Sequence, residues 1–365
     1  MASEMNPLIC FFEHNLFIYT LDYEVINCPP TLSVQVFLKQ IEEKYFEKLK
    51  VVQVNFEFDH PERFEHQTAL YQCPKAKVYV IRYYELKTLS EIKAASLTLD
   101  MNTEDIHFKP LMSKNDFIAK VQTIQQDICE GRLYQVNLTA PLEGETSENA
   151  LNLFFKYEEK FQSQYKVLLP GTQLDIISFS PELFIENINE TLTTRPIKGS
   201  SGSATDFVAS LYKNKKEEAE LSMIVDLLRN DLNSLGEAAA EVMAHRAPLQ
   251  LGYIQHTYSE IKIKNNLPLG EVLGHMMPGG SISGCPKLES LKVIGEVEPY
   301  RRQIYTGTLG WWKKNDFKLN LAIRTFIKTG DKIFYHAGCG IVFDSDAELE
   351  WSEFLLKTGG LHVKV

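Results

Sequence analysis

The sequence lacks several features that would assign it to a common class of protein. None of its cysteines forms a CxxC pair, and no stretch matches a P-loop or a dinucleotide-binding fingerprint. The scattered cysteines argue against a disulfide framework or a zinc site and favour reduced thiols. The absence of a P-loop and of a dinucleotide-binding fingerprint argues against a dedicated phosphate-binding site. The six cysteines are Cys10, Cys28, Cys73, Cys129, Cys285 and Cys339.

Positive charge is also scarce. The chain has 38 lysines and arginines against 48 aspartates and glutamates, a formal net charge of -10. This balance argues against nucleic acid, which requires a dense basic face. No apolar run approaches the length of a membrane span, and Glu13, His14 and Asp22 interrupt the N-terminus where a signal peptide would be apolar. We therefore expect no nucleic acid and no membrane as partners, and a cytoplasmic location.

The 365 residues are 44% hydrophobic, enough for a large core. Strands and helices are interspersed without a regular βαβ alternation, which predicts a large α+β domain. Residues 1–108 contain no recognisable chemistry and are expected to pack as an N-terminal portion on a catalytic part, 109–365, in one integrated unit. Hydrophobic spacing predicts helices at 34–50, 113–129 with Ser113 as N-cap, within 206–231, and at 347–357, and strands at 51–56, 78–81, 134–138, 319–326 and 333–336.

Lys198 is the strongest candidate for catalysis. It lies between Ile197 and Gly199 in a mostly uncharged turn, sixteen residues after Glu182. Most lysines are solvated surface charges, and that is the alternative interpretation. A lysine amine becomes a nucleophile when its surroundings lower its pKa. In that case the protein is an enzyme with a covalent intermediate.

Three carboxylates suggest a divalent cation. Glu350 and Glu353 share one face of the predicted last helix with Lys357, and Glu220 begins the apolar run 221–228. A solvated face of alternating charge is the alternative for the helix. Oxygen ligands without a nearby His or Cys cluster are typical of Mg²⁺, which substrate oxygens often complete. The pattern therefore predicts a Mg²⁺ site.

Arg324 and two glycine-rich turns suggest an anionic ligand. Arg324 falls within the predicted strand 319–326, where a guanidinium needs a partner: a structural glutamate or a substrate carboxylate. Residues 278–284 are expected to open a helix whose free N–H groups favour anions, with Pro286 in its first turn. Residues 338–340 are expected to end a hairpin strand with bare N–H groups. Glycine runs also occur simply as turns.

At these positions the chain resembles the chorismate-utilising enzymes, the family of anthranilate, aminodeoxychorismate, isochorismate and salicylate synthases. The resemblance runs from about Ser113 to the C-terminus, and it implies two mainly antiparallel β-sheets packed together and flanked by helices. The short motif that binds feedback tryptophan in anthranilate synthases is not recognisable. The matching motifs are residues 131–138, 180–182, 195–200, 223–231, 278–287, 322–325, 337–345 and 350–357.

The resemblance also implies a role for each candidate. Lys198 and Glu182 would be catalytic, and Glu220, Glu350 and Glu353 would hold Mg²⁺ against the ring carboxylate of chorismate. Serine replaces a usual threonine at position 200, and cysteine replaces a usual alanine at 285. The implied substrate-binding residues are Gln135, Gly199, Ser200, His256, Ser281, Tyr305, Arg324, Gly338, Gly340 and Lys357.

Two positions separate the members of the family. Members that use water carry lysine at the position of Gln135. Because this chain has glutamine there, the resemblance argues against isochorismate or salicylate synthesis. Anthranilate synthases carry alanine where Lys198 stands, and aminodeoxychorismate synthases carry lysine. The resemblance therefore implies amination of chorismate to 4-amino-4-deoxychorismate, for 4-aminobenzoate and folate synthesis.

No Gly-x-Cys-x-Gly elbow with a suitable downstream histidine is present, so the resemblance implies a separate glutamine amidotransferase subunit that supplies ammonia. The alternatives are an anthranilate synthase component I, which would release pyruvate, and a non-catalytic chorismate-binding regulatory subunit.

Overall fold

The structure is a computed structural model of the whole chain, and it describes residues 7–13, 15–96, 99, 105–201, 215–236, 238–251, 254–358 and 361–364. Within these ranges the helices are α1 (Val34–Tyr45), α2 (Leu89–Ala95), α3 (Lys114–Cys129), α4 (Ala150–Phe161), α5 (Lys215–Asn233), α6 (Leu269–Met276), the single turn α7 (Gly280–Ser283), α8 (Lys287–Val297) and α9 (Ala347–Leu356). A 3₁₀ turn spans Pro61–Phe64.

The strands are, in chain order, β1 (Leu8–Phe11), β2 (Phe17–Asn27), β3 (Lys50–Val54), β4 (Ala76–Lys87), β5 (His107–Pro110), β6 (Gln135–Glu145), β7 (Tyr165–Leu169), β8 (Asp175–Ser180), β9 (Leu183–Ile188), β10 (Thr191–Arg195), β11 (Ile197–Ser201), β12 (Glu241–Leu251), β13 (Ile254–Lys264), β14 (Gly284–Cys285), β15 (Thr308–Lys313), β16 (Asp316–Leu321), β17 (Thr325–Thr329), β18 (Lys332–Ile341) and β19 (His362–Val363).

Hydrogen-bond pairing joins these strands into two arms that meet where β1 pairs with β2. The first arm runs β5, β6, β18, β17, β8, β7, β1. The second runs β2, β4, β3, β15, β16, β9, β10, β13. Every one of these pairs is antiparallel, and the predicted α+β class is confirmed.

The chain crosses from one arm to the other at segments that carry candidate site residues. Glu182 lies in the crossing from β8 to β9, and Arg324 lies in the crossing from β16 to β17. Ser281 lies between β13 and β14, and Tyr305 between β14 and β15; β14 pairs with β6 of the first arm. Glu182 and Ser281, 99 residues apart in the sequence, are hydrogen-bonded to each other.

Local sequence explains where the helices beside the site begin. Ser113 caps α3, because its side chain accepts a hydrogen bond from the Asp116 N–H, as predicted. Asp346 caps α9 in the same way through the N–H groups of Glu348 and Leu349. Helix α5 begins at Lys215, and residues 206–214 of the predicted helix lie outside the described ranges.

Several element boundaries differ from the predictions, most of them by a few residues at a strand end. The helix predicted for 34–50 ends at Tyr45, since Lys50 begins β3. The single strand predicted for 319–326 is wrong, because the chain changes arms at 322–324 and Arg324 has a φ of 50°. Strand β18 continues to Ile341, so residues 338–340 do not end it.

The N-terminal strands are part of the common architecture. Strands β1 to β4 stand in the middle of the pairing order, between β7 and β15. This supports the proposal of one integrated unit, although the proposed boundary at 108 falls inside β5. All six cysteines lie in the described ranges, and none is bonded to another.

Candidate functional site

Lys198 lies on β11 opposite Thr257 of β13, whose hydroxyl donates to the Lys198 carbonyl at 2.9 Å. The Lys198 Nζ donates to the Ser281 carbonyl at 3.2 Å. The side chain is partly buried, and burial lowers the pKa of Lys198, while the charge of Glu182 opposes that shift. The lysine is therefore not the solvated surface charge of the alternative interpretation.

Glu182 is buried and belongs to the same cluster. Burial raises the pKa of its carboxyl to about 7, and the Lys198 charge and hydrogen bonds from the Ser281 hydroxyl and the Ile197 N–H limit the rise. The Ser281 hydroxyl donates to Glu182 Oε1 at 3.0 Å.

Ser281 thus contacts both candidates, its carbonyl accepting from the amine and its hydroxyl donating to the acid. A lysine with a lowered pKa and a carboxyl that titrates near neutrality form a nucleophile and a general acid at one place.

Arg324 has no carboxylate partner among the described residues, so the structural ion pair considered from the sequence is absent there. Its guanidinium is largely buried, and burial lowers its pKa, an effect that nearby Tyr335 opposes. Its backbone carbonyl accepts from the Phe179 N–H at 3.0 Å, which ties the crossing segment to β8. A desolvated guanidinium of this kind is suited to an external carboxylate.

Two of the three predicted metal ligands lie together. Glu350 and Glu353 are one turn apart on α9, and their oxygens lie within 4.8 Å of each other and of Cys339 Sγ. Glu350 is buried and its Oε1 accepts from the Ser345 hydroxyl at 2.7 Å. The cluster does not include Glu220, whose charge, like that of Glu353, acts on Lys198.

Several substrate-binding candidates surround strand β18. The Lys357 Nζ donates to the Gly338 carbonyl at 3.1 Å and pairs with Glu353 at 2.7 Å. The buried Tyr305 ring stacks on His336 with centroids 5.1 Å apart.

At the end of β18, Gly340 lies against Gln135. A Cβ on Gly340 would approach Gln135 Nε2 to 2.5 Å, so the lack of a side chain there makes room for the amide. The Gln135 Oε1 is buried without a hydrogen-bond partner in the described part of the chain.

The remaining candidates fall on β11 and β13. His256 is buried on β13, opposite Leu249 of β12. Gly199 and Ser200 lie on β11 beside Lys198, and the Ser200 side chain is outside the described part of the structure.

Sequence reasoning missed a buried ion pair that holds the site segments together. Arg302 is fully buried and pairs with Glu298, four residues earlier, at 2.7 Å. It also donates to the carbonyls of Ile282 and Asn137 at 2.8 and 2.6 Å. The i,i+4 spacing of opposite charges was a signal for the pair, but its carbonyl partners come from distant segments.

Fold and geometry together define a class of protein: an α+β scaffold in which a lysine amine and a buried carboxyl share Ser281 as a partner, and in which one largely buried guanidinium has no carboxylate partner among the described residues. The chain belongs to the chorismate binding enzyme family, whose profile matches residues 12–361.

Curated relatives include two kinds of synthase. The chain is 32% identical over 260 residues to aminodeoxychorismate synthase component 1 of Bacillus subtilis (strain 168), covering 68% of this chain and 55% of the relative. It is 30% identical over 267 residues to an anthranilate synthase component 1 of Haloarcula marismortui, covering 70% and 55%. The matches thus span about half the length of these relatives.

Solved structures confirm the anthranilate synthase-like fold. Anthranilate synthase component I from Streptococcus pneumoniae TIGR4 superposes with a TM-score of 0.80 at 23% identity, covering 98% of this chain and 90% of that one. In the part of the chain that the structure describes, no helix is long and apolar enough to cross a bilayer.

Proposed function

We propose that the protein is an aminodeoxychorismate synthase component I that aminates chorismate to 4-amino-4-deoxychorismate. The observation that carries this proposal is the contact of Ser281 with both Lys198 and Glu182, at 3.2 and 3.0 Å. An anthranilate synthase has no need of a nucleophilic lysine, because ammonia can add to ring C2 directly. A relative of each kind is found at similar identity, so the choice proposed between them rests on the lysine.

The amine is proposed to act first. Lys198 Nζ, as the free base, bonds to ring C2, both ring double bonds shift by one position towards C4, and the C4–O bond breaks. Glu182 protonates the departing hydroxyl, which leaves as water. Its pKa of about 7 lets it hold that proton near neutral pH.

Ammonia completes the exchange. It bonds to C4, both double bonds shift back, and the C2–N bond to Lys198 breaks. The lysine nitrogen leaves as the neutral amine from its protonated form, and the ammonia nitrogen releases a proton in exchange. The enolpyruvyl group stays on the ring. The amino group therefore ends at C4 because C2 was occupied by the enzyme while ammonia attacked.

The anionic groups of chorismate are proposed to bind between the arms. Arg324, which has no carboxylate partner among the described residues, would donate to one carboxylate in a bidentate contact, and Tyr305 and Lys357 lie on segments that face β18. Holding the dianion against Lys198 would itself supply a large part of the rate.

The carboxylates of α9 fit a hard divalent cation. Glu350 and Glu353 would hold Mg²⁺, with Glu220 of α5 as the proposed third ligand. The ion would neutralise the second carboxylate of chorismate. A glutamine amidotransferase is the proposed partner, since the mechanism consumes ammonia.

A product assay tests this function. The purified chain is incubated with chorismate, Mg²⁺ and ammonium salt, and products are identified by mass spectrometry with and without aminodeoxychorismate lyase. A 4-amino product that becomes 4-aminobenzoate only with the lyase is expected. Anthranilate and pyruvate formed without the lyase would assign the chain to anthranilate synthesis, and no turnover would support the regulatory subunit.

The matched variant is Lys198→Ala, with Lys262→Ala, at an ion-paired position on β13, as the control. We expect Lys198→Ala to lose the 4-amino product and Lys262→Ala to keep it. A Lys198→Ala protein that still makes only the 4-amino product at the wild-type rate would refute the covalent mechanism.

A further inference from the structure

A buried thiol lies beside the two carboxylates of α9. Cys339 is fully buried on β18, and its Sγ donates to the Glu350 carbonyl at 3.4 Å. The sulfur and one oxygen each of Glu350 and Glu353 lie within 4.8 Å of one another. The oxygen-only site expected from the sequence therefore contains a sulfur.

The three atoms are near enough to be drawn onto a single ion. Metal–sulfur bonds of about 2.3 Å and metal–oxygen bonds of about 2.1 Å place three ligands of one cation at most about 3.8 Å from one another. Movements of up to about 1 Å would therefore bring atoms that lie within 4.8 Å of one another to that distance. Glu353 can supply part of this movement by leaving its ion pair with Lys357, because its side chain is about half exposed.

The chemistry of the three atoms discriminates between cations. Mg²⁺ prefers oxygen and gains nothing from sulfur, whereas thiolate is a preferred ligand of Zn²⁺ and Cd²⁺. We propose that Cys339, Glu350 and Glu353 form a site for thiophilic divalent cations that overlaps the proposed Mg²⁺ site. Zn²⁺ or Cd²⁺ bound there displaces Mg²⁺ and inhibits the enzyme.

Binding converts the thiol to a thiolate. The S–H bond breaks, sulfur keeps the electron pair and bonds to the cation, and the proton leaves to solvent.

Cd²⁺ titration of the full chain tests the proposal without turnover, through the ultraviolet cadmium–thiolate charge-transfer band. All proteins carry Cys129→Ser, which removes the exposed thiol. We expect a saturable band that excess Mg²⁺ diminishes, that Cys339→Ser abolishes, and that Glu353→Gln weakens by about tenfold in Cd²⁺ affinity.

Three results would overturn the site. They are no band in the folded protein at high Cd²⁺, a band that Cys339→Ser leaves unchanged, and a band that Mg²⁺ does not diminish. If Cys339→Ser does not fold, Mg²⁺ competition and Glu353→Gln still decide. The inference rests on the proposed function only for the inhibition, so a chain that binds Cd²⁺ in this way but makes no 4-amino product would contradict that function alone.

Discussion

Replacing Glu182 by glutamine should stabilise the protein above neutral pH while it abolishes the reaction. Burial raises the pKa of the Glu182 carboxyl from 4.5 to about 7, so the folded state holds its proton more tightly than the unfolded state. The stabilising effect of that proton is fully present below pH 4.5 and is lost as the pH rises through 7. Above that range the buried, ionised carboxylate costs about 3 kcal/mol, because each tenfold change in the proton equilibrium is worth about 1.4 kcal/mol.

The predicted effect is a change in the free energy of unfolding with pH. Between pH 5 and pH 8 this carboxyl should lower the free energy of unfolding by about 2 to 3 kcal/mol, from the same two pKa values. Glu182→Gln removes the titration, so its free energy of unfolding should gain about that much on wild type over the interval. Urea unfolding at both pH values, followed by fluorescence, measures the difference.

A control separates this effect from general charge removal. Glu43→Gln alters an exposed glutamate on α1 and should follow wild type at both pH values. If Glu182→Gln also follows wild type between pH 5 and pH 8, Glu182 does not titrate near neutrality, and its assignment as a proton donor fails.

Three further predictions concern binding. Arg324→Gln should raise the KM for chorismate by about 100-fold, because a charge-assisted bidentate contact is lost. Stability should not fall, since the guanidinium has no carboxylate partner in the described ranges. Steady-state kinetics and thermal unfolding measure the two effects, and an unchanged KM would refute the proposed contact of Arg324 with the substrate. Gly340→Ala should lower kcat, because the new Cβ would displace Gln135. Gly236→Ala, whose Cβ would meet nothing within 4 Å, should leave kcat unchanged. Equal kcat values for the two variants would contradict a role for the Gln135 position. Glu353→Gln should raise the Mg²⁺ concentration needed for half-maximal rate at least tenfold, whereas Glu348→Gln on the same helix should leave it unchanged. Equal values for the two variants would show that Glu353 does not bind Mg²⁺.

Local signals in the sequence were sufficient for much of the fold. The Ser113 cap, the apolar face of α3 and the final helix α9 depend on residues within a few positions, and each was predicted correctly. The crossing at 322–324 was not predictable in this way. Its alternation of apolar residues continues unbroken, but a strand change at Arg324 is set by which arm pairs with β17.

The candidate site also has some features that local sequence predicts and others that depend on the fold. Lys198 and Arg324 were candidates because of their types and their neighbours in the chain, and Glu182 because of the family resemblance. The contact of Ser281 with both catalytic candidates depends instead on a crossing segment 83 residues beyond Lys198. Cys339 was overlooked as a ligand because the helix pattern of the α9 carboxylates contains no sulfur. Only the packing of α9 on β18 brings the thiol to them.

Intact-protein mass spectrometry can detect the proposed bond between Lys198 and the substrate. The chain is mixed with chorismate and Mg²⁺ without ammonia and quenched, its mass is measured, and the modified peptide is mapped. We expect a mass increase of chorismate minus one water, located on Lys198 and absent from Lys198→Ala. An unmodified chain that forms 4-amino-4-deoxychorismate once ammonium is added would contradict it.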